Sequence, residues 1–373
     1  MHILHVYKAY PPVIGGMENH IRTLAEAQVR AGHRVTVLVV NQGRRTVREE
    51  AAGVQVIRAG RLGHVSSAPL SLALPALLRR QAPHVTHLHA PYPVGEAAWL
   101  AVGRSPMVLT YQSDIVRQRF LGRLWAPGLR RVLGRADRVL ATSPAYVASS
   151  PFLRRVAERV TVVPLGIDTA RFAAVNTAAV NTTAGRAGRA GRDLTSRLVF
   201  VGRLRYYKGL HVLVDALALL PATRLCVVGR GPMGEALRAR ARAAGVADRI
   251  DWLGDVDDEA LPATLAAADV FVLPSTARSE AFGLAMVEAM AAGLPVVSTE
   301  LGTGTSWVNQ DGVTGRVVPP GDAPALAGAI RELLADAEAR RRMGEAARRR
   351  AVAEFDAERM IARVESVYRE VVS

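Results

Sequence analysis

Lysine is nearly missing from this chain of 373 residues: of 48 basic residues only Lys8 and Lys208 are lysines, and the rest are arginines. Cysteine occurs once, at Cys226 inside the apolar run Leu225 to Val228, so neither a disulfide framework nor a thiolate metal site can be built. Cys226 reads as a core residue, and a reducing, cytoplasmic setting is expected. No run of about 18 uncharged apolar residues exists, which excludes a bilayer-spanning helix. The opening MHILHVYKAYPP is too polar for a signal peptide and reads as a first strand. Histidines and carboxylates never fall at H-E-x-x-H spacing, and there is no G-x-S-x-G elbow, so those two hydrolytic chemistries drop out. The formal net charge of +15 invites nucleic acid, yet no aromatic-basic RNA motif or helix-turn-helix spacing appears, and no nucleic-acid partner is expected. Arginine in place of lysine, with abundant alanine, is what GC-rich coding produces. The charge therefore reads either as a solvated basic face or as attraction to anionic lipid or lipid-linked diphosphate.

What is present is alternation. Short apolar strands (Ile3–Val6, Val35–Val40, Val54–Ile57, Val85–Leu88, Met107–Thr110, Arg138–Ala141, Val160–Val163) are separated by helical patterns such as Glu18–Arg30. Residues 173–196 then break the pattern, being poor in large apolar residues and rich in Gly, Ala, Thr and Asn, which suits a linker or surface loop. Alternation resumes with Leu198–Val201, Leu225–Val228, Ile250–Leu253, Val270–Leu273 and Pro295–Ser298, and after Pro319 the chain is nearly all helix. The class predicted is α/β: two doubly wound parallel-sheet, Rossmann-like domains facing an interdomain cleft. Their expected bounds are 1–172 and 197–353, with the linker at 173–196 and a last helix at 354–373.

The segment SEAFGLAMVE ending at Glu288 carries the most chemistry. Glu280 sits in the loop after an apolar strand, and Glu288 lies one to two turns into the next helix, about 6–9 Å further along its axis. Between them the N–H groups of Phe282, Gly283 and Leu284 form a helix N-terminus suited to an anion. Carboxylate, anion seat and carboxylate in a row match a ligand laid out as sugar, diphosphate and ribose. In Gly202-Arg-Leu-Arg-Tyr-Tyr-Lys-Gly209, Arg203 and Lys208 project beside a strand end, a planar fork and a point charge fit for a diphosphate. Paired Gly15 and Gly16, after the first strand, let backbone approach a ligand; alone they are an ordinary turn. Gly229 and Gly231 form a Gly-rich turn without G-x-G-x-x-G spacing, read as lining the nucleotide pocket with Asp251–Val256 as the wall facing the base. His89, in His87-Leu-His89, is either a proton carrier or a hydrogen-bonded structural histidine. Asp114 either binds sugar hydroxyls or caps a helix. His20 reads as packing or capping. Arg117–Arg138, mixing arginines with Phe120, Leu124 and Trp125, is either an interfacial membrane helix kinked or broken at Pro127 or an ordinary packed face.

Taken together, the E-x7-E segment 280–288, the GRLRYYKG segment, the double glycine and the VVPLGID run before the linker resemble the retaining glycosyltransferases of the GT-B fold called family 4. The resemblance spans nearly the whole chain. It implies that Arg203 and Lys208 hold a diphosphate, Glu288 the ribose, and Glu280 with the backbone of Phe282–Leu284 the donor sugar, while Gly16 approaches the distal phosphate. It also implies a C-terminal helix that crosses back to the first domain, transfer with retention, and no metal or other cofactor. Many relatives carry histidine where this chain has Gln112, which cannot titrate near neutrality. Segments 110–118 and 302–315 look like those of bacterial enzymes that build surface polysaccharides, some of them mannosyltransferases, which favours a GDP-hexose donor. The expected partners are a nucleotide sugar, a lipid-linked glycan acceptor and an anionic membrane surface, the protein being peripheral on the inner face. The rival readings are a nucleotide-sugar epimerase and a non-catalytic nucleotide-sugar-binding protein.

Overall fold

Aliphatic runs without polar alternation bury both faces only in a parallel sheet covered by helices, and the strands here have that character. The computed structural model describes residues 1–13, 15–65, 68–114, 119–172 and 196–373. It divides into two compact units, Met1–Leu165 with Ala357–Ser373, and Gly166–Asp356. The low-complexity stretch read as a linker lies, but for Ser196, outside the described residues, as does Arg117.

In the first unit the chain runs β1 (His2–Val6), α1 (Gly16–Arg30), β2 (Arg34–Val40), β3 (Val47–Ala51), β4 (Val54–Ala59), β5 (Gly63–Val65), β6 (Ala68–Leu70), α2 (Leu74–Arg79) and β7 (Val85–Ala90). It continues through α3 (Pro93–Val102), β8 (Met107–Tyr111), α4 (Arg119–Arg135), β9 (Arg138–Ala141), α5 (Pro144–Ser149) and β10 (Val160–Val162). The eight-stranded sheet has the order β10-β9-β8-β7-β1-β2-β4-β3. All pairs are parallel except β3 with β4, whose exposed, charged sequence VREEA carried no apolar strand signal. The β5–β6 hairpin was also not anticipated. Pro127 lies inside α4 rather than ending it; Leu129, Val132 and Leu133 of that helix are buried, whereas Leu124 is exposed.

The second unit runs β11 (Ser196–Val201), α6 (Leu210–Ala218), β12 (Thr223–Val228), α7 (Gly234–Ala243), β13 (Ile250–Gly254), α8 (Leu261–Ala266) and β14 (Val270–Leu273). It goes on with α9 (Leu284–Ala291), β15 (Val296–Thr299), α10 (Thr305–Val308), β16 (Gly315–Val318), α11 (Ala323–Ala335) and α12 (Ala337–Glu354). Its all-parallel order β13-β12-β11-β14-β15-β16 reverses direction between β11 and β14, and such a switch point opens a crevice at the strands' carboxyl ends. Strand β16 was not anticipated, since GRVV is short and two of its four residues are only partly buried. Asp322 and Asp336 cap α11 and α12, accepting from the N–H groups of Ala325 and Ala339 at 2.8 and 2.9 Å.

The last helix, α13 (Ala357–Val372), belongs to the first unit. Met360, Ile361, Val364, Val367 and Tyr368 fall on one face at helical spacing and pack with Ile3, Leu24, Val85, Val108 and Leu140. Each such buried side chain contributes roughly 1.5–3 kcal/mol. The chain leaves the first unit at Leu165, ahead of the low-complexity stretch. Ile167 is already tied to the second unit: it bridges Asp356, and its N–H donates to the Phe355 carbonyl at 2.9 Å.

Candidate active site

The switch point of the second unit brings together the loops after β11 and β14. After β11 the chain makes one 3-10 turn, Tyr206–Lys208, and reverses at Gly209 with φ of +69°. A side chain at Gly209 would overlap the Pro274 carbonyl, so only glycine lets the loops touch. The Thr276 N–H donates to the Tyr207 carbonyl at 2.8 Å and locks that contact.

Held in this way, Lys208 Nζ lies 2.5 Å from Glu280 Oε2, with both side chains nearly buried. Burial alone would lower the Lys208 ammonium, but Glu280, Tyr207 and Glu288 together carry it above its ordinary value. Glu280 also accepts from the Ser275 hydroxyl at 3.3 Å. The loop after β15 supports it from below: Thr303 Oγ1 donates to the Glu280 carbonyl at 2.8 Å, and the Gly304 N–H to that of Ala281 at 2.7 Å. Thr303 was not singled out in the sequence.

Gly283, with φ of +88°, precedes α9. The N–H groups of Phe282, Gly283 and Leu284 have no acceptor among the described residues, which leaves the helix tip open to an anion. Glu288 lies one turn into α9, and its carboxylate has no hydrogen-bond partner among the described residues. Burial raises its pKa to about 7; Arg171 opposes that rise, Asp258 adds to it, and Lys208 opposes it. Ionised, this carboxylate accepts two hydroxyl donors; protonated, it does so less well. Donor kcat/KM should therefore climb as pH rises through about 7 and then level off. In Glu288→Gln the step should vanish; a wild-type profile that is flat between pH 6 and 8 would remove this role.

Arg203 is exposed and has no ion pair among the described residues. Gly229 and Gly231 meet protein backbone: side chains there would overlap the carbonyls of Gly202 and Leu204. The Leu204 N–H donates to the Arg230 carbonyl at 3.0 Å, so the turns after β11 and β12 are stitched together. That packing accounts for both glycines without a ligand. Asp251 sits early in β13, bonded to Arg224 at 2.9 Å, away from the carboxyl end where the nucleotide wall was expected. Cys226 is half-buried rather than a core residue, its thiol pushed up to about 11 by burial and Asp251.

The remaining candidates lie in the first unit. Gly16 opens α1, and Gly15 is extended, with the Glu18 carboxylate where a Gly15 side chain would stand. An anion at this tip would have to displace Glu18. Asp114 Oδ1 accepts from the Tyr111 and Ser150 hydroxyls at 2.7 and 3.0 Å, and its N–H donates to the Tyr146 oxygen at 2.6 Å. Among the described residues it organises a local network with Tyr111, Tyr146 and Ser150. Gln112 is buried, and its Nε2 has no partner among the described residues.

His89 is buried, not at an open strand end, because β7 continues to Ala90. It stacks on His87 at 4.2 Å and bonds His5 at 3.0 Å, with His20 edge-on. His5 further meets Gln28 at 2.7 Å, and His87 meets Tyr368 and Thr110, each at 2.6 Å. Parallel register puts His5 opposite His87, a pairing invisible in the sequence. Nitrogens of His5, His87 and His89 lie within 4.8 Å of one another, but His5 and His87 already use both of theirs. Burial keeps all four rings neutral, with His5 lowered to about 4 and His20 to about 3. In the unfolded chain these rings take up protons near 6.5, so stability is complete above that pH and is lost as pH falls from 6.5 toward 4. By linkage His5 and His20 should each cost roughly 2 kcal/mol at pH 5. A His20→Leu variant should lose less melting temperature between pH 7 and pH 5 than the wild type; an equal loss would disprove this.

Two doubly wound sheets in series are the GT-B architecture. The chain belongs to the glycosyl transferases group 1 family, whose pattern matches residues 192–350, and its residues 14–171 match glycosyltransferase family 4. It is 34% identical over 369 residues to O-antigen chain mannosyltransferase C of Escherichia coli, covering 97% of this chain and 96% of that relative. With a D-rhamnosyltransferase of Pseudomonas aeruginosa it shares 36% identity, covering 89% and 86%. A solved sucrose-phosphate synthase of Thermosynechococcus elongatus superposes with a TM-score of 0.81 at 24% identity, covering 99% and 98%. An Anabaena protein, Alr3699/HepE, solved in complex with UDP, gives 0.76 at 22%, covering 99% and 100%. No described helix is long and apolar enough to cross a membrane.

Proposed function

We propose that this glycosyltransferase moves a hexose from a nucleoside diphosphate sugar to a hydroxyl of a lipid-linked glycan during cell-surface polysaccharide synthesis, with retention at the anomeric carbon. The observation that carries the reading is the Lys208–Glu280 pair at the switch point, beside the open tip of α9 and Glu288. Lys208, with the exposed fork of Arg203, would neutralise the diphosphate as it departs, a task a divalent cation performs in other enzymes. The N–H groups of Phe282, Gly283 and Leu284 would face the phosphate nearer the sugar, and Glu280 the sugar hydroxyls. Glu288 would take the ribose. As the bond from C1 to the phosphate oxygen breaks, the acceptor oxygen bonds C1 on the same face, and the departing phosphate oxygen takes the acceptor's proton. A relative named as a GDP-mannose-dependent mannosyltransferase, 29% identical, supports a GDP-linked donor. We assign acceptor recognition to the first unit, and membrane contact to α4, whose Leu124 and Arg123 are exposed.

Thermal-shift screening against nucleoside diphosphates and their sugars tests the donor, since a selective ligand stabilises by mass action. Transfer of labelled mannose from GDP-mannose to lipid-linked acceptor is expected. Isomerised nucleotide sugar from donor alone, or tight binding with no transfer over a broad acceptor panel, would refute it. Co-sedimentation should be stronger with anionic than with neutral vesicles; equal capture would refute the membrane contact.

A further inference from the structure

Two groups that the proposed function assigns to different parts of the donor are bonded to each other. Lys208 Nζ is 2.5 Å from Glu280 Oε2, and the two side chains are only 13% and 9% exposed. Apart from Lys208, the Glu280 carboxylate receives the Ser275 hydroxyl, at a long 3.3 Å. It has little freedom to withdraw. The Glu280 N–H donates to the Ala277 carbonyl at 3.0 Å, and its own carbonyl is held by Thr303. A desolvated carboxylate that loses its cation is strongly destabilised unless other donors replace it. An ammonium, a compact point charge on a flexible stem, can swing from one anion to another.

We propose that Glu280 competes with the diphosphate for Lys208, so that this ion pair selects a sugar-bearing nucleotide over the bare nucleoside diphosphate. The inference rests on the donor site described above. A bare diphosphate takes Lys208 and leaves Glu280 unpaired in a nearly buried pocket. A nucleotide sugar takes Lys208 but brings hydroxyls that donate to Glu280 in its place. After transfer those hydroxyls leave, Glu280 reclaims Lys208, and the product diphosphate is released. Selectivity for donor and discharge of product thus follow from one exchange of partners.

Calorimetric titration of the full-length protein tests this, with GDP, UDP, GDP-mannose and UDP-glucose as probes against wild type, Glu280→Gln, Lys208→Ala and the double variant. Glutamine keeps the shape of Glu280 and removes its charge. Glu280→Gln should bind the bare diphosphate about tenfold more tightly than wild type, because a charge-assisted bond no longer has to be broken. Its preference for the sugar-bearing form should fall by a similar factor. Damage to the pocket cannot tighten any ligand. Should Glu280→Gln bind the diphosphate equally well or more weakly, Glu280 steadies Lys208 for phosphate, and the exchange is overturned while the donor site stands. Loss of diphosphate binding in Lys208→Ala and in the double variant supports the exchange. If wild type binds none of the four probes, or Lys208→Ala binds them unimpaired, the donor site itself is wrong and the exchange falls with it. Melting curves without nucleotide establish that each variant is folded, and Glu280→Ala should shift affinity in the same direction as glutamine.

Discussion

Lys208→Ala is expected to lower donor kcat/KM by roughly 10²–10³, the scale found when one preorganised charge is withdrawn from a desolvated site. Lys208 is a nearly buried cation 2.5 Å from Glu280 and within the field of Glu288, so its removal leaves two acids facing an incoming dianion. Solvent cannot compensate, because Tyr207 and the loop after β14 enclose the ammonium. Arg203→Ala is the comparison: that side chain is exposed and unpaired among the described residues, and its loss should cost nearer tenfold. Steady-state kinetics at saturating acceptor measures both. A Lys208→Ala enzyme retaining a third of wild-type turnover, or an Arg203→Ala enzyme that is the worse of the two, would remove Lys208 from the centre of the site.

Gly209→Ala should be nearly as damaging through the fold alone. A left-handed backbone costs a non-glycine residue roughly 1–2 kcal/mol, and the added methyl overlaps the Pro274 carbonyl, adding about 1–3 kcal/mol of overpacking. A loss of about 3 kcal/mol should lower the melting temperature of a unit this size by roughly 6–12 °C. Gly245→Ala separates strain from collision: Gly245 has a φ of +67° but open space where a side chain would go, so it should cost only the conformational part. Because Gly209 ends the turn that carries Lys208, its substitution should also abolish stabilisation by nucleoside diphosphates. Equal melting temperatures for the two alanine variants would show that the loops part without penalty.

The doubly wound class was legible because parallel strands buried on both faces read as aliphatic runs, and eleven-residue stretches such as Gly202–Val212 show a turn passing into a helix. Elements at the margins were not. VREEA in β3 is polar on both faces because it is an edge strand, and GRVV in β16 is too short to announce itself. Of the candidate site, Lys208, Glu280 and Glu288 stand out by residue type and spacing. Their mutual contacts do not, since register between β11 and β14 decides which loops meet. Gly229 and Gly231 are ambiguous for a related reason: a glycine required by neighbouring backbone looks, in one dimension, like a glycine required by a ligand. The histidine layer was half visible, as His87 and His89, while His5, His20, Gln28 and Tyr368 join it only through tertiary packing.

Helix α13 has a consequence for how the protein is made. Its apolar face completes a core begun by Ile3, so the first unit, though synthesised earlier, stays unfinished until residues 357–372 have left the ribosome. The intervening unit, continuous from Gly166 to Asp356, can close while the first is still open. Vectorial synthesis would then mature the second unit first, and a nascent chain stalled short of Ala357 would carry a finished second unit and an incomplete first one.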